Sequence, residues 1–215
     1  MAFQLNFISS FCQNLSKLFL KLLILFTEDG KCDYDIKTRI VFAKDAFRKH
    51  KELLKGNINL SVKKRILHCY VFPVAKYSCE SWTLNKELSQ RINAFEQWCY
   101  RRLLKIKWTD MTSNEVLRRM KEKEGFLYNS IVKQKMAFAG HVLRESSGDS
   151  AIQILEGKLE DKIAQGRPRC MWLDDIKDWT KLDSYASIKR TAEDRISWIS
   201  CTHRACRPST TEDDS

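Results

Sequence analysis

The run Trp172-Leu173-Asp174-Asp175-Ile176 contains the residue pair most suggestive of catalysis, because paired carboxylates can hold the two metal ions of in-line phosphoryl transfer. That chemistry needs the carboxylates on a tight turn between strands, with a third opposite. Here the run continues at helical spacing through Lys177-Asp178-Trp179, which is expected to turn Asp174, Asp175 and Asp178 to the solvated side of a helix. The four histidines, His50, His68, His141 and His203, are too scattered to pair by spacing, and no phosphate-binding glycine loop, nucleophile elbow or His-Glu-x-x-His occurs. Cys201, His203 and Cys206 approach a metal-ligand spacing but lack a fourth ligand at a recognised interval. No catalytic residue, metal or cofactor is expected.

Binding chemistry is better represented. Lys plus Arg number 38 against 27 Asp plus Glu, a formal charge of +11. Residues 31–110 hold 18 basic and 8 acidic groups, so +10 of that excess lies in about a third of the chain. Lys63, Lys64 and Arg65 sit together in one helical run, and Arg101, Arg102, Lys105 and Lys107 crowd the end of another, beside Trp98, Tyr100 and Trp108. Cations interleaved with aromatics suit a surface that tracks a nucleic-acid backbone, since the cations replace counterions on phosphate and rings stack on bases. Arg167 and Arg169, in an exposed Gln165-Gly-Arg-Pro-Arg169 loop, are added to the candidate binding set. The competing account is that cations at a helix C-terminus offset the macrodipole while Trp98 packs the core.

The elements that must position these groups are read from periodicity. Ile36, Ile40, Ala43, Phe47 and Leu54 predict a helix over 33–55 capped by Asp33, with Gly56 as a left-handed terminator. Ser61 is the expected cap of a second helix carrying Val62, Ile66, Cys69 or Tyr70, and Val74, which Pro73 must kink or end. Asn85 opens a third, whose Leu88, Ile92, Phe95, Cys99, Leu103 and Ile106 form the most regular amphipathic stripe in the chain. A short helix from Thr112 or Ser113 to Met120 follows, then one bearing Leu127, Ile131 and Phe138. Beyond Gly148 the text predicts a short strand at 152–159, a helix buried along Trp172, Ile176 and Trp179, and a last helix over 185–199 with Ile188, Ala192, Ile196 and Ile199 inward.

The expected fold class is therefore mainly α: a multi-helix, thumb-like bundle over 31–145, preceded by a strand-and-turn remnant at 1–30. A small helical module follows at 146–200, then a disordered tail at 201–215. The 8 Cys are spread through apolar helical text without a C-x-x-C pair, which points to reduced thiols in an intracellular setting, nuclear or cytoplasmic. Cys69 and Cys99 are expected on apolar helix faces. The run Leu18 to Phe26 has 9 residues with Lys21 inside it, against the ~20 a membrane span requires, and neither its flanks nor its charges fit a secretory signal.

Five stretches carry a family resemblance: Thr27-Glu-Asp-Gly-Lys-Cys-Asp-Tyr-Asp-Ile-Lys-Thr-Arg-Ile40, Tyr77-Ser-Cys-Glu-Ser-Trp-Thr83, Phe95-Glu-Gln-Trp-Cys-Tyr-Arg-Arg-Leu-Leu104, Gly140-His-Val-Leu-Arg144 and Gly166-Arg-Pro-Arg-Cys-Met-Trp172. In this order they resemble the C-terminal part of the endonuclease–reverse transcriptase polyprotein of non-LTR (LINE-type) retrotransposons, over roughly residues 20–199. The resemblance implies a thumb that grips primer-template duplex, followed by a basic C-terminal region, without the fingers, most of the palm or the Tyr-x-Asp-Asp hairpin. Where that family usually has a Tyr-Leu-Gly primer-grip strand, this chain reads Leu22-Leu23-Ile24-Leu25. The expected function is RNA or DNA binding without polymerisation. The alternatives are a host-recruited module that docks a protein partner through apolar helix faces, and a non-functional element fragment.

Overall fold

The computed structural model describes residues 32–107, 109–110, 113–120, 125–144 and 172–206. The strand-and-turn remnant expected within 1–30, the strand at 152–159, the loop at 165–169 and residues 207–215 of the tail lie outside these residues, whereas residues 201–205, expected in a disordered tail, are helical, with Cys201 buried. Among the described residues the chain is helical, without strands. The helices are α1 (Asp33–Lys49), α2 (Lys51–Lys55), α3 (Leu60–Ile66), α4 (Phe72–Ala75), α5 (Lys86–Leu104), α6 (Ser113–Met120), α7 (Phe126–Leu143), α8 (Trp172–Thr180), α9 (Tyr185–Glu193) and α10 (Arg195–Ala205). A π-helical turn (Leu67–Val71) precedes α4, and a 3-10 turn (Cys79–Ser81) follows it.

Local chemistry explains the boundaries. Cys32, not Asp33, is the N-cap of α1, and Asp33 and Asp35 occupy its first turn, where carboxylates face the positive end of the helix. The helix expected over 33–55 is interrupted at His50, and Gly56 is extended, with φ −61° and ψ 174°, instead of left-handed. The extended exit leads to Asn59, whose side chain accepts from the Ser61 N–H at 3.1 Å, so Asn59 and not Ser61 caps α3. Pro73 neither ends the segment nor leaves it regular. Its ring removes one donor, and the preceding turn widens so that the Phe72 N–H reaches back five residues to the Leu67 carbonyl. At α5 the expected cap holds: Asn85 Oδ1 accepts from the Leu88 N–H at 2.8 Å.

The helices bury two apolar cores that share α7. The first takes Ile36, Ala43 and Phe47 of α1, Phe72 of α4, the α5 stripe Leu88, Ile92, Phe95, Cys99 and Leu103, and Leu127 and Ile131 of α7. The second begins one residue later on α7 with Val132, Met136, Ala139 and Leu143, and is closed by Ile176, Ile188, Ala192, Trp198 and Cys201. Several expected core positions are outside, among them Val62 and Tyr70 of the second predicted helix, 47% and 57% exposed. Ile196 is 80% exposed and Ile199 48%, because the helix expected over 185–199 breaks at Asp194, whose carboxylate caps α10 by accepting from the Ile196 N–H at 3.0 Å. The break resets the helical phase and turns Trp198 and Cys201 inward. Phe138 is likewise exposed, edge-on to Trp172 with ring centroids 6.3 Å apart, and Cys69 is exposed on the π turn while Cys99 is buried as expected.

A buried polar cluster joins the two cores, and it overturns the solvated reading of Asp175. Lys135 of α7, fully buried, forms an ion pair with Asp175 of α8 and donates to the Trp82 carbonyl at 2.7 Å. Its ammonium lies 5.0 Å from the Trp172 ring and 5.4 Å from that of Trp179. Asp175 also accepts from the Leu84 N–H at 2.9 Å, and Trp172 Nε1 donates to the Glu80 carbonyl at 2.6 Å. On the other side of Trp82, its Nε1 donates to Asp35 at 2.8 Å, and Asp35 pairs with Arg39, whose guanidinium covers the Tyr77 ring at 4.6 Å. Burial pushes the Asp175 carboxyl above the usual carboxylate range, against the Lys135 ammonium and the Leu84 N–H, which pull it down. Of the other two carboxylates, Asp174 is partly exposed near Lys177, and Asp178 is exposed.

Candidate nucleic-acid interface

The α5 half of the candidate surface is assembled by the end of that helix. Asn85 and the apolar stripe fix its rotation, which leaves Trp98 half-buried, stacked on Phe95 at 6.1 Å and edge-on to Phe47 at 5.2 Å. The Arg102 guanidinium carbon lies 4.4 Å from the Trp98 ring centroid, and the Lys44 ammonium of α1 approaches it to 5.5 Å. Trp98 thus packs against the core, as the competing account expects, and also carries two cations. A base stacking on this ring would have to displace Arg102 or Lys44.

Beyond α5 the chain reverses through Lys105, a non-glycine residue with φ 59° and ψ 33°. The Ile106 N–H bonds to the Arg101 carbonyl at 2.9 Å and Ile106 packs against the first core, an arrangement that holds Lys105 in the left-handed region despite its Cβ. The same reversal brings the Lys107 carbonyl to 3.2 Å from Arg101 Nη1. Arg102, Lys105 and Lys107 remain exposed, and Arg101 is half-buried. These four cations are therefore brought together at one end of the bundle.

The α3 half is arranged differently. Lys63 is buried at 8% exposure, Lys64 is half-buried, and Arg65 is exposed. Of this trio Arg65 is the group most open to a phosphate. The short α2 packs on both α3 and α5. Trp108, Arg167 and Arg169 lie outside the described residues.

Sequence reasoning missed a second set of cations on the same side. Lys37, Lys44 and Arg91, with Ile40, Val41 and Trp98, line an open groove of about 460 Å³ between α1 and α5. Lys37, Val41 and Lys44 recur at spacings of four and three, the face repeat of a helix, so a charge count by helix face could have found the α1 pair. Arg91 is partly committed, since it donates to Glu87 at 2.8 Å and holds that carboxyl below its usual range. The arrangement can attract and align a polyanion. Among the described residues no group of three or more His, Cys, Asp or Glu is placed to hold a metal ion, and no helix is long and apolar enough to cross a membrane.

No protein-family model matches the chain, and no solved structure matches it. A relative is found in Caenorhabditis elegans: an uncharacterized protein described as transposon-derived is 26% identical to this chain over 168 residues, or 74% of its length. The chain spans 60% of that protein's length.

Proposed function

We propose that the chain is a transposable-element product whose helical bundle binds nucleic acid through phosphate contacts, related to the thumb and C-terminal region of LINE-type reverse transcriptases. The likeness to a transposon-derived protein supports the origin. One observation carries the binding: the exposed cations Arg102, Lys105 and Lys107 converge at the end of α5, next to Lys44 and Trp98, in the part of the chain that holds nearly all its net charge. Phosphate contacts of this kind position a ligand without reading its bases. Polymerisation is not part of the proposal. The adjacent aspartates of α8 lie on a helix, and Asp175 is committed to Lys135 and Leu84 inside the fold.

The test is a salt-titrated binding assay of the full chain on hairpin RNA, duplex DNA and an RNA–DNA hybrid. Changing Arg102, Lys105 and Lys107 together to Gln should lower the slope of log K against log salt by about one unit for each phosphate no longer neutralised, on all three ligands alike. The same change at Lys177 of α8, Lys181 in the turn after it and Arg190 of α9 should leave the slope nearly intact. Equal reductions from both triples would mean that net charge alone attracts the polyanion and that the α5 surface has no special part.

A further inference from the structure

From the geometry of the second core we infer that the groove between α7 and α10 is a further phosphate-backbone contact surface, formed by Lys133, His141, Arg144, Arg195 and His203. This rests on the reading of the chain as a nucleic-acid binder, but it places a separate surface on different helices, outside the segment that carries the net charge.

Neither helix that forms the groove contains a single Asp or Glu: α7 reads FLYNSIVKQKMAFAGHVL and α10 reads RISWISCTHRA. Residues 181–215 are neutral as a whole, with 6 basic and 6 acidic groups, so the positive face is a matter of arrangement and not of composition. The helices approach closely because Gly140 has no side chain. A Cβ there would lie 2.3 Å from Trp198 Nε1, which instead donates to the Met136 carbonyl at 2.8 Å.

With Trp198 seated on Gly140, an open groove of about 450 Å³ runs along the contact, lined by those five basic side chains together with Ala137, Ile199 and Thr202. No carboxylate is among the described residues that line it. Lys133, Ala137, His141 and Arg144 recur along one face of α7 and span about 16 Å at 1.5 Å per residue. Duplex DNA carries one phosphate per 3.4 Å of axis along each strand, so this face can meet more than one phosphate.

The Trp198 ring is only 3% exposed and its N–H is already bonded, so the indole of the groove is closed to base stacking. The cations spread along the contact suit a phosphate backbone presented side-on. Arg144 has a structural share as well, since its guanidinium donates to the Ala192 carbonyl at the end of α9, 2.9 Å away. Lys133, Arg195 and His203 are exposed.

The full chain carrying Lys133→Gln, Arg195→Gln and His203→Gln should show a salt slope on duplex DNA that is shallower by about two units, one for each permanent cation removed. The charge-keeping pair Lys133→Arg and Arg195→Lys should retain the wild-type slope. Both variants change only exposed side chains, and thermal unfolding by circular dichroism confirms that each is folded. An unchanged slope in the Gln variant, with the α5 triple still lowering it, overturns this groove and leaves the proposed function standing. A shallower slope in the Gln variant with none in the α5 triple supports the groove and overturns the α5 surface. Absence of salt-dependent binding by the wild-type chain overturns both.

Discussion

Replacing Lys135 by Met removes the ammonium while keeping an unbranched stem of similar length inside the fold. The carboxylate of Asp175, whose side chain is 3% exposed, then retains the Leu84 N–H but is deprived of its counter-charge. The Trp82 carbonyl is left without this donor, and the Trp172 and Trp179 rings without the cation between them. Breaking a buried ion pair by deleting one partner costs about 3–5 kcal/mol. Against a typical total stability of about 5–15 kcal/mol, the variant should lose about a fifth of its stability or more.

The sign of the pH dependence follows from the same contacts. Lys135 is the chief group holding the Asp175 carboxyl down against burial, so without it that carboxyl rises further above the value it has in the unfolded chain. A carboxyl with a raised folded pKa contributes stability that is full below the unfolded pKa of about 4 and is lost as pH rises through the folded one. The deficit of Lys135→Met relative to wild type should therefore be larger at pH 7.5 than at about pH 5. Pairing it with Asp175→Leu removes the stranded charge and should recover part of the stability, leaving the unpaired Leu84 N–H and Trp82 carbonyl at about 1–3 kcal/mol each. Urea unfolding followed by tryptophan fluorescence, with equal m-values across the set, measures all three. A Lys135→Met cost below 1 kcal/mol, or a double variant equal to the sum of the two singles, would refute the claim that this pair is buried and coupled.

Gly140→Ala should destabilise by about 1–3 kcal/mol, as overpacking does, because its Cβ would meet backbone-anchored Trp198; a melting temperature equal to wild type would show that α10 can shift without penalty. Trp198→Ala should cost about 3–5 kcal/mol while Ile196→Thr changes stability by no more than about 0.5 kcal/mol; denaturant midpoints for the two give the order, and the reverse order would place the phase of α10 wrongly. Burial pushes the Cys79 thiol up to about 12 and raises that of Cys99, and thiolate is the reactive form. Iodoacetamide on the native chain should therefore modify exposed Cys69 well before Cys79 or Cys99, as read by peptide mass mapping, with all three reacting once urea unfolds the chain.

What the sequence determined by itself is local. The α5 stripe from Leu88 to Leu103 and its Asn85 cap were legible because a helix repeats every 3.6 residues and its first N–H groups need an acceptor within a few positions. The mainly helical class followed from the same periodicity. The stretches that resemble a retrotransposon family were legible as text, but their structural work was not: Asp35, Arg39, Trp82 and Trp172 form the polar junction between two cores, and Gly140 makes room for Trp198.

Tertiary structure alone decided the fate of Asp175 and the location of the second basic groove. A carboxylate on an amphipathic helix is solvated unless another element brings it a counter-charge, and its partner Lys135 stands forty residues earlier, on α7. Likewise Ile196 and Ile199 fit the apolar period of a continuous helix, and one capping carboxylate at Asp194 rotated both into solvent. The charges of α7 and α10 do not stand out in sequence because neutralising acids lie nearby in the chain. They become a cationic groove only because the packing of Trp198 on Gly140 sets the two acid-free helices face to face.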